Sequence, residues 1–303
     1  MRKIILPLII SFLFASCSLN KKFLEPSKIP INAKSATIIN HQSNDTLIIK
    51  FSGAAFQPTF IKHQHDTVDL GYTIESVVFK SATGNRLNGW FLRPKNPTLP
   101  ITLLHFHGNE GNLLNQYQSI SQLAKNGFQV FMFDYSGFGF SEGDATRENV
   151  LTDALSALDY VKSNARVANT KLIIYGQSLG GHLAVVVASQ RQSDIDGLVI
   201  EGAFSSHKDM AAYEARKLFF LSFAGRILTK SGYSAMRSIG DFHKPLLVIH
   251  SSEDEEVPFY MGRKIFEKAN DPKEFYEIKG RHMLGPIYYT DVISQKIINM
   301  LVH

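Results

Sequence analysis

From Glu75 onward, short apolar and β-branched runs alternate with longer stretches whose apolar positions recur every three or four residues. The short runs fall at 76–80, 87–92, 101–105, 129–133, 171–175, 198–200, 245–249 and 274–278. Their length and residue types predict eight strands. The longer stretches at 112–126, 147–163 and 180–191 have the spacing of helices that cover such strands. Strands separated by helices imply βα units and a mainly parallel sheet. The first two strands have no helix between them and meet at Gly84-Asn85, a turn signal that predicts an antiparallel hairpin. The pattern therefore predicts an α/β fold, an eight-stranded and mostly parallel sheet flanked by helices.

The rhythm breaks at 205–244, an interval between two consecutive strands in which residues 211–228 keep helical spacing. Such an interval is too long for one crossover helix and predicts a small helical cap over the site. An ordinary crossover with an added surface helix is the alternative. Ahead of the regular part, residues 18 to about 70 are rich in Asn, Lys, Ser and Thr. Apolar runs such as Thr46-Leu47-Ile48-Ile49 interrupt them, which suggests a tether and accessory strands with no chemistry of their own. The expected organisation is a signal at 1–16, the tether and accessory strands at 17–74, and the main domain at 75–303.

The chain starts Met1-Arg2-Lys3, continues with an apolar run from Ile4 to Phe14, and then reads Ala15-Ser16-Cys17. A basic start, a short apolar centre and small residues before a cut describe a secretory signal. A spanning helix needs about 20 apolar residues, more than this run supplies. Ala15-Ser16-Cys17 also resembles the lipobox of bacterial lipoproteins, although Phe14 stands where that box usually has Leu. The resemblance implies lipidation of Cys17 and a membrane-anchored lipoprotein of the bacterial cell envelope. A secreted or periplasmic protein with an incidental cysteine is the alternative.

Composition narrows the classes further. Hydrophobic residues make up 44% and charged residues 19%, an ordinary globular balance, and a single cysteine forms no internal disulfide. The formal charge of +5 includes Arg2 and Lys3, and the other basic residues are scattered among acids. No basic run of the kind that tracks phosphates is present, so the composition points away from nucleic acid.

The strongest chemical signal is Gly176-Gln177-Ser178-Leu179-Gly180-Gly181, which follows a buried strand and opens an apolar helix. Gly-x-Ser-x-Gly acquires meaning in that context, because the sharp strand-to-helix turn lifts a serine hydroxyl above the sheet. Ser178 is the candidate nucleophile. Its tetrahedral intermediate needs two N–H donors, and Leu179 supplies one as the residue after the nucleophile. The second should come from the loop His107-Gly108-Asn109-Glu110-Gly111-Asn112, with Asn109 N–H as the candidate. His105 and His107 find no further ligands at zinc spacing, so no metal site is expected. The base should follow the last strand, where Gly280-Arg281-His282 offers His282. The acid should follow the seventh strand, where Glu253-Asp254-Glu255-Glu256 offers four carboxylates of which one would orient the base.

Five segments in order carry a closer likeness. They are the 107–112 loop, Asp134-Tyr135-Ser136-Gly137-Phe138-Gly139 with Phe140-Ser141-Glu142-Gly143, the serine turn, Asp254-x-x-Val257-Pro258, and Gly280-Arg281-His282. Together, over roughly 75–300, they resemble the Bem46-like, serine-aminopeptidase-like branch of the α/β-hydrolase superfamily. Two departures lie on the rim: Ser136 stands where the branch often has Arg, and no Asn follows His282. The resemblance implies the α/β-hydrolase fold and a Ser178–His282–Asp254 triad. Glu201, after the sixth strand, is the rival acid, because some members of the fold place it there. The implied activity is a cofactor-free serine hydrolase acting on a small-molecule or lipid-like acyl ester. Leu218-Phe219-Phe220-Leu221 and Phe223 are candidates to line an acyl pocket. An aminopeptidase or amidase is the second expectation. A lipid-anchored, non-catalytic binding protein of the same fold is the third.

Overall fold

A computed structural model of the chain describes residues 23–39, 45–62, 66–95, 98–216 and 232–302. Residues 1–22, Cys17 among them, and the apolar stretch of Leu218, Phe219, Phe220, Leu221 and Phe223 lie outside the described residues.

In chain order, β1 (Glu25–Pro26) precedes β2 (Ser35–Ile39), β3 (Thr46–Ser52), β4 (Gln57–Lys62) and β5 (Asp66–Thr67). These last four form an antiparallel sheet in the order β2-β3-β4-β5. Then come β6 (Tyr72–Lys80), β7 (Arg86–Pro94), β8 (Ile101–Phe106), β9 (Glu110–Gly111), α1 (Leu113–Lys125) and β10 (Gln129–Phe133). The chain continues through α2 (Arg147–Ser163), β11 (Lys171–Gln177), α3 (Leu179–Gln190), β12 (Gly197–Glu201) and α4 (His207–Arg216). It closes with α5 (Ala235–Ser238), β13 (Leu246–Ser251), α6 (Phe259–Lys268), β14 (Lys273–Ile278), α7 (Gly285–Tyr288) and α8 (Thr290–Asn299).

The main sheet has eight strands in the order β14-β13-β12-β11-β8-β10-β7-β6. The β6–β7 and β7–β10 pairs are antiparallel and the other five are parallel. After β8 the chain adds β10 on one side, then crosses to add β11 on the other. That reversal opens a crevice beyond the carboxyl ends of β8 and β11, the usual ligand position in an open α/β sheet. The eight predicted strands match those observed, within a few residues at their ends.

Both faces of the sheet are packed because its central strands are apolar on both sides, as parallel strands between helix layers must be. On one face Phe91, Phe131, Phe133 and Ile174 meet Val150, Leu158, Leu183 and Val187 of α2 and α3. On the other, Trp90, Leu103 and Val130 meet Tyr117, Ile120 and Leu123 of α1. Helix α1 starts where Asn112 accepts from Leu114 N–H at 2.9 Å while the Asn115 side chain accepts from Asn112 N–H at 3.2 Å. This reciprocal cap satisfies two donors that a helix start otherwise leaves unpaired.

The small sheet joins this second core. Phe60 lies 5.3 Å from Tyr117 and 6.4 Å from Trp90, ring centre to ring centre, and Phe56 stacks on Phe140 at 4.0 Å. Within 205–244, α4, α5 and a short 3₁₀ turn at Ile239–Asp241 are described, with 217–231 outside the described residues. No helix among the described residues is long and apolar enough to cross a membrane.

Candidate active site

Strand β11 ends at Gln177, helix α3 begins at Leu179, and Ser178 alone makes the turn, with φ 54° and ψ −118°. A non-glycine residue in that region stores about 1–3 kcal/mol, so the surrounding packing must hold it there. The glycines two residues to either side make this possible. A Cβ on Gly180 would sit 2.0 Å from Phe106 O, and one on Gly176 would sit 2.3 Å from Gly180 O. Ser178 N–H donates to Glu201 O at 2.9 Å, which fixes the turn against β12. Helix α3 then points its N-terminus at the serine, an end that favours negative charge.

His282 follows β14 and is 7% exposed. Its Nδ1 is 2.6 Å from Asp254 Oδ2, the shortest link between groups expected at the site. The other Asp254 oxygen accepts from Val257 N–H at 2.8 Å and Glu256 N–H at 3.0 Å, which locks the carboxylate in place. His250 Nε2 lies 3.5 Å from Asp254 Oδ2 while donating to Val257 O at 2.9 Å. Burial holds His250 below the ordinary histidine value, which keeps that ring neutral. Burial would likewise push His282 down, yet the hydrogen bond and charge of Asp254, helped by Glu256 and Glu201, carry it above that value. His282 Nε2 is buried and has no hydrogen-bond partner among the described residues. Gly202 brings the ring to the serine turn. A Cβ there would lie 2.7 Å from His282 Cε1, while the preceding residue's carbonyl holds Ser178 N–H. No hydrogen bond joins Ser178 to His282 in this arrangement.

Glu201, the rival acid, is engaged elsewhere. One oxygen accepts from Tyr175 OH at 2.9 Å and Gln177 Nε2 at 2.7 Å, and the other from Gly285 N–H at 2.7 Å. Burial raises its pKa despite these donors. Gln177 also accepts from His105 Nε2 at 3.0 Å and donates to Met283 O at 3.3 Å. Ser119 Oγ reaches the same carbonyl at 3.1 Å. Met283, next to His282, has φ 56°, a second strained non-glycine position. Gln177, Ser119 and Glu201 thus form a polar brace that joins β11 and β12 to the loop carrying His282.

Neither Asn109, in the loop after β8, nor Leu179, the first residue of α3, gives its amide N–H to an acceptor among the described residues. Comparison with known proteins identifies the family of the fold. The family profile described as alpha/beta hydrolase fold matches residues 101–264, which include Ser178 and Asp254. The chain belongs to the alpha/beta hydrolase family. YfhR of Salmonella typhi is 35% identical to the hydrolase over 216 residues, 66% of this chain and 71% of that protein. The lysophosphatidylserine lipase ABHD12 of Rattus norvegicus is 29% identical over 229 residues, 70% of this chain and 56% of that one. Among solved structures, the Pyrococcus furiosus esterase Pf2001 has a TM-score of 0.62, at 18% identity over 77% of the hydrolase and 91% of that chain. Est1E of Butyrivibrio proteoclasticus, with ferulic acid bound, has 0.60 at 20% identity, over 75% and 100%. These two structures share the fold.

His105 and His107 of the hydrolase are fully buried, and burial pushes them down to about 3 and about 4, so both rings are neutral. His107 Nδ1 donates to Gly108 O at 2.8 Å, an anchor for the turn itself. Among the described residues no group of three or more His, Cys, Asp or Glu is arranged to hold a metal ion. A cleft of about 730 Å³ opens beside His282, bordered by Gln177, Ser119, Met283, Leu284, Glu25 and Pro26. Sequence reasoning gave no role to His250, Gln177, Ser119 or Met283. Only Gln177 carried a signal, as a polar residue at the end of a buried strand.

Proposed function

We propose that this protein is a serine hydrolase, a carboxylesterase of the Bem46-like branch, acting on a small-molecule or lipid-like acyl ester. The observation that carries the reading is the Asp254–His282 contact of 2.6 Å, with His282 Nε2 left unpaired near a serine in a strained turn. Ser178 Oγ attacks the ester carbonyl as its proton passes to His282 Nε2. The carbonyl π pair moves to the oxygen, where Leu179 and Asn109 N–H groups hold the oxyanion. Collapse breaks the bond to the alcohol, which leaves with the proton from His282. Water then repeats the cycle on the acyl-serine and releases the acid. Asp254 keeps the imidazole in the tautomer that presents Nε2 as a base and stabilises its charged form. The sequence of steps calls on no metal or organic cofactor. The names of the lipase and esterase relatives support an ester ahead of an amide.

Ser178→Ala in the full-length chain should abolish hydrolysis of p-nitrophenyl esters and labelling by a fluorophosphonate. Losing such a nucleophile costs about a million-fold in turnover. Near-normal turnover would overturn the assignment.

The Cys17 box supports a further part of the proposal, a lipid anchor in the bacterial cell envelope. Several acyl chains hold firmly where one anchors only marginally. Cys17→Ser should end incorporation of labelled palmitate and shift the protein out of the membrane fraction. A wild-type protein that takes up no label is not a lipoprotein.

A further inference from the structure

Residues 23–29 run between the two loops that rise from β8 and β10. On one side β1 pairs in parallel with β9, with Glu25 N–H donating to Asn109 O at 2.8 Å and Ser27 N–H to Gly111 O at 2.9 Å. On the other side Gly139 N–H donates to Ser27 O at 3.0 Å and Ile29 N–H to Gly139 O at 2.8 Å. Side chains add two more links, Asn112 Nδ2 to Ser27 O at 2.9 Å and Lys28 Nζ to Gly143 O at 2.7 Å. The near end is pinned by Phe23, whose ring meets His207 edge-on at 5.0 Å, and by buried Leu24.

The carbonyls of Asn109 and Gly111 belong to the loop that presents the second oxyanion donor. That loop contains Gly108 and Gly111, residues whose backbone rotates freely when nothing holds it. An N–H on Asn109 O fixes the peptide plane that follows Asn109, and through it the heading of the Asn109 amide. Placement matters at this point, because a shift of about 1 Å in a reacting geometry costs about 100-fold in rate. Glu25 and Pro26 also border the cleft beside His282.

We propose that residues 23–29 are a positioning strap for the oxyanion loop and one wall of the substrate cleft, so that the site is incomplete without them. The proposal rests on reading Asn109 as an oxyanion donor. It is tested in the full-length chain with Glu25→Pro and Ser27→Pro, each of which removes one N–H and leaves the extended backbone allowed. Turnover of a p-nitrophenyl ester is measured per active site titrated with a fluorophosphonate, so that misfolded protein is not counted. Against Glu25→Ala, which lacks the same carboxylate, the double variant should lose about 10- to 100-fold in kcat with KM within about threefold, the pattern of an interaction made in the transition state. Glu25→Ala keeps the N–H and trims the cleft-facing carboxylate, and should move KM while sparing kcat. Hydrogen exchange over 107–112 should quicken in the proline variants and not in Glu25→Ala. Unchanged kcat per titrated site, or unchanged exchange, would overturn the strap. A wild-type chain that neither hydrolyses esters nor labels would defeat the functional reading instead. In that case the exchange alone still decides whether the strap holds the loop.

Discussion

Two buried carboxylates lie close to His282, and their differences decide what each one does. Glu201 ends β12 and is 1% exposed, and Asp254 follows β13 with its side chain 1% exposed. Asp254 spends one oxygen on two backbone N–H groups and turns the other toward the imidazole. Glu201 spends both oxygens on Tyr175, Gln177 and Gly285. Burial does not separate the two. The separation lies in whether an oxygen is left for the imidazole, and only Asp254 has one. Glu201 is better described as a brace whose charge reaches His282 without touching it.

The sharpest way to break this contrast is Asp254→Asn, which keeps the shape but favours the wrong imidazole tautomer. The exchange costs about 10⁴-fold in turnover in a comparable triad. Its pH profile adds a second check. The base must be neutral to act, and Asp254 holds His282 above 6.5, so wild-type kcat/KM should fall as pH drops through a value above 6.5. Asp254→Asn removes the largest of the influences that raise it, and the acid limb should move to lower pH. A wild-type limb below 6.5 would contradict the environment assigned to His282.

Glu201→Gln should do much less to turnover, about tenfold. Its main effect should be on stability, since an amide NH₂ would replace an acceptor facing buried donors, at a cost of about 1–3 kcal/mol. Urea unfolding reads the second effect and ester hydrolysis the first. If Glu201→Gln is as crippled as Asp254→Asn is expected to be, the acid has been assigned to the wrong strand end.

The main sheet and the serine turn were legible in the chain because both are local. Continuous apolar runs and Gly176-Gln177-Ser178-Leu179-Gly180 each state their constraint within a few residues. Asp254 was legible only in part. In Glu253-Asp254-Glu255-Glu256 four carboxylates look alike, and the Asp-x-x-Val-Pro likeness was needed to choose among them. The brace was not legible, because Ser119, Gln177 and Glu201 come from three separate segments and meet a fourth at Met283 O. Met283 adopts φ 56° without a glycine to mark it. Residues 23–29 were hidden for a different reason. They read as a tether without chemistry because they act through main-chain N–H and C=O groups, which every residue type carries.

The pairing of that segment also has a consequence for how the chain is made. Glu25 pairs with Glu110, and Lys28 bridges to Gly139, so its partners are synthesised long after it. A ribosome adds about 5–20 residues per second from the N-terminus, which leaves seconds during which these residues have nothing to pair with. Throughout that interval the beginning of the chain is available to any machinery that must handle it. Docking of residues 23–29 then becomes a late event, one that waits for the loops after β8 and β10 to exist.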